Sequence, residues 1–210
     1  MHSIIAGIGP EKEWSEIERK IELVKPFAKV IHIDLLDGKF APNTSFFDPK
    51  PFKKYSQDLF FELHMMVEEP EQYLEAWSNE GFRRFIGHVE SMSDQSSFVA
   101  RAQEVGEVGL ALDLATDISS ITVAHRDLDT ALIMTVKAGF SGQTFSQQPL
   151  DKVKELSKLE LFPVTIDGGV TADTIGYGLS SGATRFVATS FIYGAENPSD
   201  HYQQLLNAKE

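Results

Sequence analysis

Cysteine is missing from all 210 residues. Disulfides, thiolate metal ligands and a cysteine nucleophile are thereby excluded, and a cytoplasmic setting is expected, although the absence of thiols only permits it. Basic residues are scarce: 19 Lys and Arg stand against 31 Asp and Glu, for a formal net charge of -12. That sign argues against binding nucleic acid or an anionic membrane over a broad face. It leaves an anionic small molecule open, because glycine amides and helix starts hold a phosphate without lysine. The opening MHSIIAGIGPEKEW has no basic stretch followed by a long apolar run, so no secretory signal is expected there. No uninterrupted apolar run nears the roughly 20 residues that span a bilayer. Linkers rich in Pro, Gly or Ser are also missing.

What is present is an ordinary globular balance, 42% hydrophobic and 24% charged. The length suits one α/β domain. Short apolar runs at Ser3–Ala6, Val30–Asp34, Leu59–His64, Arg84–His88, Val108–Leu112, Ala131–Thr135, Pro163–Ile166 and Arg185–Ala188 read as strands. Between them, Glu13–Val24, Pro70–Glu80, Ser96–Gly106, Pro149–Leu159 and Thr171–Ser181 read as helices, with weaker helical signals after Asn43 and after Ala115. In the first helix Trp14, Ile17, Ile21 and Val24 recur on one face. This alternation predicts a single (β/α)₈ TIM barrel over residues 1–210, with an open doubly wound sheet as the fold alternative.

One strand breaks its own rule. In VIHIDLLDGKFAPN, His32 and Asp34 interrupt a β-branched run and, at a period of two, point the same way. Burying both without partners costs several kcal/mol, about 2–7 per polar group. His64 ends the third expected strand and Asp167 the seventh. The C-terminal ends of barrel strands converge on one face, so these four residues offer a nitrogen and oxygen set for one Zn²⁺, Mn²⁺, Fe²⁺ or Co²⁺ ion. A pair of hydrogen-bonded core residues beside unrelated polar strand ends is the competing reading.

A metal there would suit proton transfer at a carbon next to a ketone, because a divalent ion on the substrate oxygens stabilises the developing enediolate. Asp34 and Asp167 then form the acid/base pair, one on each side of the carbon, exchanging roles in the reverse direction. Glycines supply candidates for the rest of a substrate site: Gly139 and Gly142 in MTVKAGFSGQTF, Gly168 and Gly169 in IDGGV, and the segment around Ser190 in VATSFIYG. Loops after the last strands are the usual phosphate region of a barrel, although paired glycines also make simple turns.

Together these segments resemble the ribulose-phosphate 3-epimerase family, from about Ile4 to Gly194. HIDLLDGKFAPN is similar to the family's H-x-D-x-M-D-G-x-F-V-P-N, ELHMMV to its H-L-M stretch, MTVKAGFSGQTF to V-N-P-G-F-G-G-Q-x-F, and IDGGV to its D-G-G. The resemblance implies a barrel of the ribulose-phosphate-binding type that interconverts D-ribulose 5-phosphate and D-xylulose 5-phosphate, in pentose phosphate metabolism, with a divalent metal. It implies His32, Asp34, His64 and Asp167 as ligands, Asp34 and Asp167 as acid and base, and His64, Gly142, Gly168, Gly169 and Ser190 around the phosphorylated substrate. Met66 and Met134 match methionines of the substrate wall, and Asp37 and Asn43 are expected to order loops. A homo-oligomer is compatible with it, and the aromatic set Phe46, Phe47, Phe52 and Tyr55 is expected either to pack on the second helix or to form a subunit contact.

The departures bear on substrate choice. Gly7 stands where the family has the serine of A-P-S, removing a hydroxyl near the substrate. Leu36 replaces a methionine, Lys137 and Ala138 replace Asn-Pro, and Thr189 replaces the glycine before Ser190. Lys137 either reaches the phosphate or projects into solvent, and Thr189 is expected to crowd the phosphate. A six-carbon ketose phosphate is therefore the alternative substrate. Aldol or decarboxylase-type barrel chemistry and a non-catalytic sugar-phosphate-binding or assembly role are the readings outside this class.

Overall fold

Alternate residues of β2 to β6 divide between two apolar clusters, and that division builds much of the molecule. The computed structural model describes residues 2–209. Among them, β1 (Ser3–Ile8), β2 (Val30–Leu36), β3 (Phe60–Met66), β4 (Phe82–His88), β5 (Glu107–Leu112), β6 (Thr130–Met134), β7 (Val164–Asp167) and β8 (Arg185–Ala188) pair in parallel. They close in sequence order, β8 returning to β1 with Ala6 opposite Ala188. The fold is a TIM barrel, as the alternation predicts. The open-sheet alternative is excluded by that closure.

Ile31, Ile33 and Leu35 of β2 join Phe61, Leu63 and Met65 of β3 in the core between the sheet and the outer helices. Residues of the other parity face the barrel interior, where Leu36, Met66, Ile86, Ala111, Leu132 and Met134 form a separate cluster. Toward the strands' N-terminal ends the interior is polar. Glu62 accepts from Arg84 Nη1 at 2.6 Å and Arg185 Nη2 at 2.5 Å, and Thr130 Oγ1 meets Thr165 Oγ1 at 3.0 Å.

The outer ring contains α1 (Trp14–Val24), α2 (Leu74–Ser78), α3 (Gln95–Val105), α4 (Leu150–Ser157), α5 (Ile175–Ser180), α6 (Ser190–Tyr193) and α7 (Pro198–Leu206). The apolar stripe of α1 buries Ile17, Ile21 and Val24. The Asp94 carboxylate caps α3 by accepting from the Ser97 N–H. No described helix is long and apolar enough to cross a membrane.

Several helices are shorter than their patterns. The expected helix from Thr171 starts only at Ile175, because Thr174 Oγ1 accepts from the Thr171 N–H at 2.9 Å and donates to the Gly169 carbonyl at 2.8 Å, tying the first turn into a loop. Pro70–Tyr73 is a 3-10 turn ahead of α2. The weaker helical signals yield 3-10 turns at Lys50–Tyr55 and Ile118–Ser120. In the first of these Phe52 is fully buried, edge-on to Trp14, Phe61 and Phe82, so it serves this chain's own core. Tyr55 is buried as well and donates to Glu22 at 2.6 Å.

Candidate active site and metal centre

The β2–β3 register sets His32 opposite Glu62 and Asp34 opposite His64, all four on interior-facing positions. Asp167 closes β7 on the same face of the barrel. One donor atom from each of His32, Asp34, His64 and Asp167 lies within 4.8 Å of all the others. His32 Nε2 stands 3.3 Å from Asp34 Oδ1 and 3.6 Å from Asp167 Oδ2. His64 Nδ1 stands 3.0 Å from Asp34 Oδ1 and 3.3 Å from Asp167 Oδ2. The four residues singled out in the sequence therefore meet at one point.

The donor set fits a divalent ion on two counts. Two imidazole nitrogens and two carboxylate oxygens suit a borderline metal. His32 Nε2 is also buried without a hydrogen-bond partner, an arrangement that normally destabilises a protein and that a bound cation would relieve.

Each imidazole is held from behind. His32 Nδ1 is 2.7 Å from Glu62 Oε1. Burial works against ionisation of Glu62, but the His32 hydrogen bond and the charges of Arg185 and Arg84 hold its carboxyl well below the usual range. An ionised Glu62 can only accept, so His32 donates from Nδ1 and turns its Nε2 toward the two aspartates. His64 Nε2 is 2.9 Å from His88 Nε2, and His88 Nδ1 is 3.0 Å from Glu90 Oε2. Glu90 is also pulled down, to about 2: burial opposes this, and the His88 hydrogen bond is the strongest favourable cause. Burial pushes the His88 imidazole toward its neutral form. Read outward from Glu90, His88 donates through Nδ1 and accepts at Nε2 from His64. Burial lowers the His64 imidazole, but hydrogen bonds to Asp167 and Asp34 prevail and raise it, so in the metal-free protein Nδ1 donates to the aspartates, and loss of that proton would free its lone pair for a cation.

Glu62, His88, Glu90, Arg84 and Arg185 were not marked as site residues from the sequence. Two signals were there: Glu62 shares the parity of His64 in FFELH, and His88 is a further polar residue at a strand end.

Beside the four residues, a cleft is lined by Asp34, Asp167, Met66, Met134, Gly142, Gly168, Gly169, Thr189 and Ser190, with Phe140 and Val170 among the others. Gly168 and Gly169 have φ of 111° and 64°, and a Cβ on Gly168 would strike Val136. Glycine is required here both for backbone conformation and for the close approach of two loops. Leu36 is buried with Met66 and Met134 in the apolar wall. Gly7 is buried at the end of β1 and does not line the cleft. Lys137 is exposed and outside the lining; only its carbonyl is engaged, accepting from Gln143 at 2.7 Å. Asp37 accepts from the N–H groups of Lys39 and Glu68, and Asn43 donates to the Gly139 carbonyl at 3.0 Å, so both order loops around the cleft.

Comparison with known proteins agrees with this geometry. Residues 10–193 match the ribulose-phosphate 3 epimerase family. Ribulose-phosphate 3-epimerase of Schizosaccharomyces pombe is 30% identical over 213 residues, covering 98% of this chain and 91% of the relative. The Bacillus subtilis enzyme of that name is 30% identical, with 90% of each chain covered. Among solved structures, 3-hexulose-6-phosphate synthase from Salmonella typhimurium superposes with a TM-score of 0.73 at 13% identity, covering 98% of this chain and 96% of that one, a likeness of fold. The chain is thus an enzyme of the ribulose-phosphate 3-epimerase family.

Proposed function

We propose that the chain interconverts D-ribulose 5-phosphate and D-xylulose 5-phosphate by removing and returning a proton at C3. The observation that carries this reading is the meeting of two histidines and two aspartates at the C-terminal end of the barrel, with His32 Nε2 buried and unpartnered. His32, Asp34, His64 and Asp167 would hold one divalent ion, Zn²⁺, Mn²⁺, Fe²⁺ or Co²⁺. Bound there, such an ion supplies Lewis-acid stabilisation of negative charge on the substrate oxygens.

Asp34 and Asp167 are assigned the proton transfers. They enter from β2 and β7, which are separated by β1 and β8, and this supports placing them on different sides of the reactive carbon. Burial raises the Asp34 carboxyl, yet the adjacent His32 and His64 imidazoles prevail and hold it well below the usual range. Asp34 is therefore ionised and ready to accept, but weakly basic. It needs a substrate proton made more acidic by charge stabilisation at the neighbouring ketone, which is why this chemistry calls for a cation. Asp34 takes the C3 proton on one face, and Asp167 delivers one on the other. In reverse the two exchange roles. Met66 and Met134 line the cleft and limit water around the enediolate. Gly142, Gly168, Gly169 and Ser190 are assigned to the phosphate end, consistent with the usual phosphate region of a barrel.

The test is a coupled assay of metal-loaded protein against D-ribulose 5-phosphate and six-carbon ketose phosphates, run in parallel in deuterated water. Epimer formation from D-ribulose 5-phosphate with deuterium entering at C3 supports the proposal. Turnover of a six-carbon ketose phosphate alone would transfer the same chemistry to that substrate. Absence of both turnover and exchange would leave a sugar-phosphate-binding protein.

A further inference from the structure

Gly7 and Thr189 stand at neighbouring strand ends, one position beyond the Ala6–Ala188 pair of the β1–β8 ladder. Ile4, Ala6 and Ile8 belong to the outer core, so position 7 faces the barrel interior. A Cβ built on Gly7 would overlap Thr189 Oγ1 and would lie 2.8 Å from Val187 Cγ1. The place that a side chain on β1 would occupy is already filled from the β8 side by the Thr189 hydroxyl and the Val187 side chain.

That hydroxyl is free for other work. Thr189 is the N-cap residue of α6, a position where threonine normally accepts from a backbone N–H of the first turn. Here it makes no such side-chain bond. The N–H groups of Ile192 and Tyr193 instead donate to the Thr189 carbonyl, each at 3.1 Å. Thr189 lines the cleft beside Asp34, Asp167 and Ser190.

We infer that Thr189 Oγ1 is a substrate-binding, specificity-determining group, delivered from the end of β8 into the volume that a side chain on β1 would otherwise occupy. This rests on the proposed ketose phosphate reaction. The partner of Oγ1 is an oxygen on the sugar carbon chain, and the threonine methyl narrows the cleft beside Ser190. A side chain at position 7 requires the removal of the one at position 189 and a shift of Val187.

The test is a double-mutant cycle on the metal-loaded protein, comparing wild type, G7S, T189G and G7S/T189G, together with T189S and T189V. Thermal midpoint and calorimetric affinity for D-ribulose 5-phosphate and for inorganic phosphate are read for each. G7S alone should lower the midpoint, and adding T189G should recover part of the loss, Val187 still crowding the new side chain. T189V should weaken D-ribulose 5-phosphate binding about tenfold, the loss expected of one hydrogen bond, while phosphate binding holds. T189S should bind like wild type, and G7S/T189G should bind more tightly than T189G. Unchanged sugar-phosphate affinity in T189V, or strictly additive midpoints across the cycle, would overturn the inference. Wild-type protein that binds inorganic phosphate but no D-ribulose 5-phosphate would overturn both the hydroxyl's role and the proposed substrate. The T189V result isolates the inference alone.

Discussion

Glu62 Oε1 lies 2.7 Å from His32 Nδ1, and neither side chain reaches solvent. The far oxygen of the same carboxylate is clasped by two arginines, Arg84 and Arg185. A charge that no water reaches thus fixes the ring whose other nitrogen faces Asp34 and Asp167. The polar base of the barrel and the chemistry at its mouth are one connected network.

Replacing Glu62 with Gln keeps the shape but leaves the buried Arg185 guanidinium without its counter-charge, whereas Arg84 keeps Glu107, 2.8 Å from its Nε. The expected cost is roughly 3–5 kcal/mol of stability, the usual penalty for breaking a buried ion pair from one side. Metal affinity should also fall about 10–100-fold, as for other groups that orient a ligand histidine. Denaturant unfolding and competition with a metallochromic chelator measure the two effects. Wild-type metal affinity in a folded E62Q protein would show that Glu62 serves the fold alone.

His88 should matter to the metal only through His64. In H88F the ring volume stays, but the acceptor for His64 Nε2–H is gone. In H88Q an amide oxygen is available. Metal affinity should drop about 10-fold or more in H88F and recover in part in H88Q. Nitrogen NMR of the imidazoles should report loss of the Nε2–H tautomer of His64 in H88F. Equal affinities and unchanged tautomers in the two variants would remove His88 from this role.

The aspartates should be indispensable for turnover. D34N and D167N are each expected to lower it at least about 10²-fold, in the range of acid/base groups. Both residues also belong to the ligand set, so bound metal must be measured on the same samples by atomic emission. A metal-replete D167N enzyme that turns over normally would remove Asp167 from proton transfer.

Stability of the metal-free protein should peak in mildly acidic solution. Glu62 is held below its ordinary 4.5, so its contribution is complete above about pH 4.5 and is lost as the pH falls further. His32 moves the other way. Burial would lower it, but the neighbouring Asp34 and Glu62 carboxylates raise it to about 10. Its contribution is complete below its ordinary 6.5 and drains away as the pH climbs toward 10. Thermal midpoints in the presence of a chelator should therefore form a dome with its top between about pH 4.5 and 6.5. Adding Zn²⁺ or Co²⁺ in weak buffer at neutral pH should release about one proton or more per ion, because a ligand imidazole must be unprotonated. A flat chelated profile from pH 6.5 to 10, with no proton release on metal addition, would contradict the charge state of His32.

Much of the site was legible in the sequence because burial has a simple rule. His32 and Asp34 sit in a run of β-branched residues, where a polar group needs a partner. His64 and Asp167 end similar runs, and barrel topology brings strand ends together. Glu62 was harder to see, because one acidic residue among apolar ones looks like a solvent-facing position. Its partners Arg84 and Arg185 are 22 and 123 residues away. Helix ends were less legible. The sequence reading starts α3 at Ser96, one residue inside the start that the Asp94 cap sets, and the threonine bridges that delay α5 are contacts between specific hydroxyls, which periodicity does not encode.

By itself the sequence determined the alternation of strand and helix, the kinds of donor at the strand ends, and the positions at which this chain departs from its family. Each depends on residues within a few places of one another. Tertiary structure alone decided which nitrogen of each histidine faces the aspartates, that His88 and Glu90 stand behind His64, and that Lys137 stays in solvent. It also decided that Gly7 and Thr189 compete for one volume. Those facts depend on β1 meeting β8 and on the stagger of all the strands between them, and a packed interior allows only one side chain in each space.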